Sequence, residues 1–199
     1  MNERHPVDLM THVVTLGDLG LLHTAKVCTK TVVSELCPPF ERKRITDIAR
    51  PRIVVALVRH PLDRLVSTWA DCSRPHRIGL IGTHRMTGQP IHGIYAGMPF
   101  DEFARIVADH PLTNRHWQPM TVWLRAWGGW PDVLVRYEHL REDWELVRGM
   151  QHGIPEFPRA QHNKSERGDW RSYYSDELRE RLAGVYAEDM ARLGYGLEA

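Results

Sequence analysis

The sequence predicts an α/β protein with a P-loop-like three-layer fold, in which helices flank a central parallel sheet. Two segments carry this prediction, because each combines a short apolar strand, a tight turn and a helix start. They begin at Leu19 and at Arg52. A third apolar strand is expected over Asp132–Tyr137, followed by another helical pattern. We expect the 199 residues to form a single domain, 1–199.

The first strand–turn–helix unit starts with Leu19–Thr24, an apolar run that is predicted to form a strand. A short turn over Ala25–Cys28 leads into a predicted helix over Thr29–Leu36. Pro38 and Pro39 end that helix, because proline breaks a helix interior.

The second unit begins with the continuous apolar run Arg52–Val58. Its length and its β-branched residues indicate a strand that is buried in a parallel sheet. Pro61 then stands at the first position of a helix, where proline is tolerated. Apolar residues at helical spacing define one face of this helix: Leu62, Leu65, Val66 and Trp69.

The remaining elements follow from similar patterns. Residues 73–98 are rich in Gly, His, Pro and Arg and indicate a loop or lid. An amphipathic helix is expected over Phe100–Val107, and another helix passes through Leu140 after the third strand. A final helix is expected to begin at Ser175, a favoured N-cap residue, and to end at Gly194.

Composition argues against several classes of partner. The net charge is +1 and basic residues are spread along the chain, so no basic tail points to nucleic acid. No apolar run approaches the ~20 residues of a membrane helix, and Met1–Pro6 lacks the layout of a signal peptide. Three cysteines without a Cys-x-x-Cys pair favour a reducing, cytoplasmic location. No zinc-type His/Cys pattern is present, so no metal is expected.

The first turn has the chemistry of a phosphate cradle. A strand that runs into a tight turn and a helix start directs N–H groups and the positive end of the helix dipole at one point. Lys26 lies in the turn beside Cys28, and Thr29, Lys30 and Thr31 stand at the helix start. The glycines of a Walker loop are missing, so ordinary solvated lysines at a helix start are the alternative.

Arg59 and Ser67 form a second candidate anion site. Arg59 ends a buried strand, where the ligands of open α/β sheets bind, and Ser67 lies two turns into the next helix. A guanidinium suits phosphate because it is planar and donates two parallel hydrogen bonds. The alternative is an ion pair between Arg59 and Asp63, with Ser67 as a surface hydroxyl.

The order of these segments resembles that of sulfotransferases that use 3'-phosphoadenosine-5'-phosphosulfate (PAPS). Val58–Ser67 is similar to the family's 3'-phosphate motif, in which Arg and Ser have this same separation, and Ala25–Thr31 to its 5'-phosphosulfate loop. Val135–Asp143 resembles the Tyr-Glu-Asp-Leu stretch whose tyrosine lies near adenine, and Arg167–Trp170 the late Gly-Asp-Trp loop. His116–Pro119 resembles the His-Trp-x-Pro element of the carbohydrate, or Golgi-type, branch.

The resemblance implies a complete donor site for PAPS. Lys26, assisted or replaced by Lys30, would neutralise the leaving 5'-phosphate. Arg59, Ser67 and Arg167 would hold the 3'-phosphate. The full set of residues implied to bind the donor is Lys26, Cys28, Thr29, Lys30, Thr31, Arg59, Ser67, Tyr137 and Arg167.

The general base that takes the proton of the acceptor hydroxyl is less well defined. Many relatives carry it in the interval that here spans residues 36–52, which contains no histidine. His116 is favoured, because it lies in a family-like element and histidine transfers protons near neutral pH. His84, His92 and Glu41 are the other candidates.

The favoured function is transfer of a sulfuryl group to a hydroxyl acceptor, and the branch resemblance favours a carbohydrate. Two alternatives are a P-loop kinase or NTPase that uses Lys30 and Thr31 with Mg·ATP, and a non-catalytic nucleotide-binding relative. No apolar strand ends in the Asp of a Walker B element, which argues against the first alternative. Exposed aromatic residues leave a homodimer open.

Overall fold

The computed structural model describes residues 13–27, 32, 35, 41–43, 45–74, 90–125, 127–158 and 168–197. The strands in these ranges are β1 (Val13–Leu16), β2 (Leu19–His23), β3 (Glu41–Lys43), β4 (Ile53–Val58) and β5 (Val133–Arg136). The α-helices are α1 (Pro61–Cys72), α2 (Phe100–Asp109), α3 (Thr121–Leu124), α4 (Leu140–Met150), α5 (Asp176–Val185) and α6 (Ala187–Leu193).

The chain divides into two compact units. The first comprises residues 1–59 and 120–163 and contains all five described strands. The second comprises residues 60–119 and 164–199, and its described elements are helical. The single domain over 1–199 stays a prediction, as does the P-loop-like arrangement in three layers.

The sheet of the first unit has the strand order β3-β1-β2-β4-β5. β4 pairs in parallel with β2 on one side and β5 on the other, as predicted. β1 pairs antiparallel with both β2 and β3, so the sheet is mixed and the prediction of a parallel sheet was wrong for this edge. Gly17 and Asp18 join β1 to β2, and a two-residue connection can join only antiparallel neighbours.

β4 is the most deeply buried strand of this unit. Residues 54–58 have no exposed surface, which accounts for an apolar run without alternation. Asp132, just before β5, accepts a hydrogen bond from the Val54 N–H at 2.7 Å and forms an ion pair with Arg50 at 3.3 Å. These contacts pin the register of β4 against β5.

The second unit packs α1, α2 and α5 around a common apolar core. α1 begins at Pro61, as predicted, and Leu62, Leu65 and Val66 are its most buried apolar residues. α2 presents Phe103 to the same core, which confirms the predicted amphipathic helix.

The C-terminal helix is interrupted, and the prediction of one continuous helix was wrong. Ser175 is the N-cap, as predicted, and its hydroxyl accepts the Leu178 N–H at 3.3 Å. The backbone leaves helical geometry at Tyr186 (φ −100°, ψ 19°), which separates α5 from α6. Gly194 ends α6 in the left-handed conformation (φ 73°), also as predicted.

Two predicted segments are described only in part. Of the helix over 29–36, only Val32 and Glu35 are described, and both are helical. In the predicted loop or lid over 73–98, residues 75–89 lie outside the described residues, and this interpretation stays a prediction. Ile94 and Met98 are buried in the core of the second unit, and the Met98 carbonyl accepts a hydrogen bond from the Trp69 indole at 2.7 Å.

Among the helices that the structure describes, none combines the length and apolar character required to cross a membrane.

Candidate functional site

Three predicted donor-site residues stand where neighbouring parallel strands end. Lys26 lies in the turn after β2, Arg59 directly follows β4, and Tyr137 directly follows β5. Because β2, β4 and β5 are adjacent and parallel, their carboxyl ends share one edge of the sheet. The structure therefore brings these three residues together at the edge where open α/β sheets bind ligands.

Two contacts hold the Arg59 guanidinium in place. Its Nη1 donates a hydrogen bond to the Lys26 carbonyl at 3.2 Å. Its central carbon lies 4.2 Å from the centre of the Tyr137 ring, a cation–π geometry. The residue is only 7% exposed. A guanidinium held in this way loses little conformational freedom when it binds an anion, which favours tight binding.

Lys26 adopts an unusual backbone conformation. Its φ is 70°, in the left-handed region that residues other than glycine rarely occupy. The turn is closed by a hydrogen bond from the Val27 N–H to the Thr24 carbonyl at 3.3 Å. Strained backbone of this kind clusters at functional sites, and here it directs the Lys26 carbonyl to Arg59.

Much of the predicted 5'-phosphosulfate loop is not described. Cys28, Thr29, Lys30 and Thr31 lie outside the described residues, as does Arg167 of the late loop. Their assignment to the donor site stays a prediction.

Ser67 belongs to the second unit and lies on α1, two turns after its N-cap His60. It is 9% exposed, so it is not the surface hydroxyl that the alternative interpretation required. Asp63 lies one turn before it and is buried to a similar degree.

His116 is half-buried and its tautomer can be assigned. Asn114 Oδ1 accepts the backbone N–H of His116 at 2.9 Å, so this atom is the amide oxygen. The same oxygen lies 2.7 Å from His116 Nδ1, which must therefore carry a proton. In the neutral ring the basic lone pair is then on Nε2.

Three successive carbonyl groups of the His-Trp-x-Pro element accept hydrogen bonds from buried side chains. Thr68 donates to the His116 carbonyl at 2.9 Å, and Tyr186 to the Trp117 carbonyl at 2.6 Å. Arg64 donates to the Gln118 carbonyl. We call these three hydrogen bonds the carbonyl clamp. It ties the element to α1 and to the C-terminal helices and fixes the backbone that carries His116.

Two donors of the carbonyl clamp, Arg64 and Tyr186, are buried polar residues, and the buried Asp189 acts electrostatically on Tyr186. Arg64, Tyr186 and Asp189 each have 1% or less of their surface exposed. Burial raises the pKa of Tyr186 well above its usual value, an effect that Arg64 opposes and Asp189 reinforces. The Tyr186 hydroxyl thus stays protonated and acts as a donor. An apolar pattern at helical spacing does not predict which polar residues of a helix are buried against distant carbonyl groups.

The other candidate bases lie in different surroundings. Glu41 is exposed on β3, and a hydrogen bond and ion pair with Lys43 lower its pKa, which weakens it as a base. His92 is exposed and its ring stacks on that of His110, with ring centres 3.7 Å apart. Slight burial and then the charge of His110 lower the pKa of His92. His84 lies outside the described residues.

The protein thus has an α/β fold, and the carboxyl edge of its sheet carries Lys26 and Arg59 beside the aromatic ring of Tyr137. A family model described as "Sulfotransferase family" matches residues 22–196. The match runs from β2 to the residues after α6, and the chain therefore belongs to the sulfotransferase family, as its motifs predicted. Members of this family are transferases of sulfuryl groups. Comparison with curated proteins and with solved structures gave no match.

Proposed function

We propose that this chain transfers a sulfuryl group from PAPS to a hydroxyl acceptor. The observation that carries the proposal is the position of Arg59 at the carboxyl edge of the sheet, between the Lys26 carbonyl and the Tyr137 ring. A cation, a loop lysine and an aromatic ring at this edge suit a nucleotide that carries several phosphate groups. Family membership supports the same donor, because sulfotransferases generally use PAPS.

The proposed donor contacts follow the family motifs. Arg59, Ser67 and Arg167 hold the 3'-phosphate, and Tyr137 lies beside the adenine. The 5'-phosphosulfate is held by the loop that contains Lys26, in which Cys28, Thr29, Lys30 and Thr31 are the further ligands.

Sulfuryl transfer requires that the acceptor oxygen, the sulfur and the leaving 5'-phosphate oxygen lie nearly in line, and that the charge on the leaving oxygen is neutralised. The acceptor oxygen forms a bond to sulfur while the bond from sulfur to the 5'-phosphate oxygen breaks, and the bonding electron pair leaves with that oxygen. Lys26, with or instead of Lys30, neutralises the charge that develops there. The proton of the acceptor passes to a base, for which we propose His116 Nε2. The carbonyl clamp supports this role, because it fixes the backbone of His116 before substrate binds.

The proposed class of acceptor is inferred from the resemblance of one sequence element to a branch of the family. The His-Trp-x-Pro element is that of the carbohydrate branch, and we propose a carbohydrate hydroxyl on this ground. The described contacts of Trp117 and Gln118 run to residues of their own unit, so these two side chains act in packing.

The test of the donor site is binding of adenosine 3',5'-bisphosphate, the product that PAPS leaves, measured by calorimetry. Arg59→Ala is expected to weaken binding by at least about tenfold, since one hydrogen bond to a charged group contributes about 1.5–3 kcal/mol. Arg59→Lys should retain only part of the affinity, because an ammonium group cannot donate two parallel hydrogen bonds to one phosphate.

Arg52 offers a matched control. It precedes the same strand at its opposite end and is exposed. Arg52→Ala makes the same chemical change and should leave the affinity within about twofold. Equal affinity of the Arg59→Ala variant and the unmodified chain would contradict the proposed role.

A further inference from the structure

His60 occupies a special position between the two parts of the Arg/Ser motif. It directly follows Arg59 and is the N-cap residue of α1, with its carbonyl accepting the Arg64 N–H at 2.9 Å. Its side chain does not cap the helix. The residue is only 2% exposed, so its ring is buried.

The His60 ring is held on three sides by the C-terminal part of the chain. It stacks on Trp170 with ring centres 4.4 Å apart and planes inclined by 27°. Tyr195 meets it edge-on, with a distance of 5.2 Å between ring centres. Nε2 lies 2.9 Å from the Gly196 carbonyl oxygen, and because a carbonyl only accepts, Nε2 donates this hydrogen bond.

A second contact ties the same helix turn to the same part of the chain. The Tyr174 hydroxyl donates to the Leu62 carbonyl at 2.8 Å. Tyr174 also packs edge-on against Trp170, with ring centres 6.1 Å apart. The start of α1 is therefore fixed by residues that lie more than 100 positions later in the sequence.

We propose that His60 is a positioning residue for Ser67, the proposed 3'-phosphate ligand that lies on α1. The inference rests on the proposed function, since it assigns to His60 the orientation of α1 and of the Ser67 hydroxyl carried on it. A helix moves as a rigid body, so a small tilt at its first turn displaces a side chain two turns further along. Displacements near 1 Å at such a site weaken it markedly. The ring of His60 touches no donor atom in this proposal.

The test compares two nucleotides that differ only in the 3'-phosphate, adenosine 3',5'-bisphosphate and adenosine 5'-monophosphate. The dissociation constant of adenosine 5'-monophosphate divided by that of the bisphosphate measures how much the 3'-phosphate contributes to binding. We call this quotient the nucleotide ratio. His60→Ala should reduce this ratio by about tenfold, because charged hydrogen bonds weaken when their donors move. Affinity for adenosine 5'-monophosphate should change by less than about twofold. His60→Phe keeps a ring for Trp170 and loses the Nε2 donor, so an intermediate ratio is expected.

Tyr186→Phe separates positioning from loss of stability. It removes one buried hydrogen bond in the same unit and leaves the contacts of His60 with Trp170 and Tyr195 in place. It should lower the melting temperature and leave the nucleotide ratio unchanged. A His60→Ala ratio equal to that of the unmodified chain would overturn the inference. If His60→Ala does not fold, His60→Phe decides, and an unchanged ratio would overturn it equally.

The two proposals fail in different ways. If the unmodified chain binds both nucleotides equally, it has no 3'-phosphate site and the proposed function is wrong. If the unmodified chain prefers the bisphosphate and the His60 variants keep that preference, only the positioning role is wrong.

Discussion

The carbonyl clamp makes a quantitative prediction for Tyr186→Phe. The Tyr186 hydroxyl donates to the Trp117 carbonyl at 2.6 Å, and both residues are 1% exposed. The substitution keeps the ring and leaves a buried carbonyl without this donor, which costs about 1–3 kcal/mol. For a chain of about 200 residues, 1 kcal/mol lowers the melting temperature by about 2–4 °C. A central value of about 2 kcal/mol thus predicts a decrease of about 4–8 °C.

Calorimetric melting of matched variants tests this number. Tyr173→Phe is the matched control, because it removes a tyrosine hydroxyl from the same unit. The Tyr173 hydroxyl forms no hydrogen bond with the described residues. This substitution should change the melting temperature by less than about 1 °C. Equal melting temperatures for the Tyr186→Phe and Tyr173→Phe variants would refute the importance of the clamp. Turnover should also fall in the Tyr186→Phe variant, because His116 loses part of its support.

The remaining predictions concern packing, catalysis and pH. Gly20→Ala should destabilise the chain by about 1–3 kcal/mol in denaturant unfolding, because the added carbon would lie 2.6 Å from a proline ring and 2.8 Å from a tryptophan. Lys26→Ala should reduce turnover by about 10²–10³-fold with little effect on bisphosphate affinity; if Lys30→Ala has that effect instead, Lys30 serves the leaving group. Burial and the charge of His110 lower the pKa of His92 below 6.5, so the unfolded chain binds more protons and stability falls as pH drops through 6.5. Melting at about pH 5 and about pH 8 should show a smaller difference for His92→Gln, and an unchanged difference would contradict this assignment.

The parallel centre of the sheet was predictable because its signals are local. Burial on both faces requires an apolar run such as that of β4, and proline at the first helical position marks the start of α1. The N-cap Ser175 and the terminal Gly194 were equally readable, since each satisfies backbone groups within a few residues.

The antiparallel edge and the helix break were missed for different reasons. The sequence holds a hairpin signal in Gly17, whose φ of 54° suits the first position of a two-residue turn before Asp18. β3 is only three residues long and polar, so it carries no apolar pattern. The break at Tyr186 coincides with a contact to Trp117, 69 residues away, and helical periodicity does not report such a contact.

The candidate site residues were named from sequence motifs and remain a prediction, whereas their geometry was not predicted. The sequence placed Arg59 at the end of a buried strand, and Tyr137 was assigned to the site by resemblance. That both lie at one edge follows from the order of the parallel strands in the structure. Spacing in the sequence does not reveal that Arg59 is held by a carbonyl of Lys26 in a left-handed conformation. Nor does it reveal the stack of His60 on Trp170, since both contacts depend on how distant segments pack.

The nucleotide preference of the unmodified chain tests the proposed sulfotransferase function most directly. Calorimetry should compare adenosine 3',5'-bisphosphate with Mg·ATP under the same conditions. The bisphosphate is expected to bind at least about tenfold more tightly, because the proposed site around Arg59 would bind a 3'-phosphate that ATP lacks. Tighter binding of Mg·ATP would contradict the proposed function and would favour a kinase or NTPase.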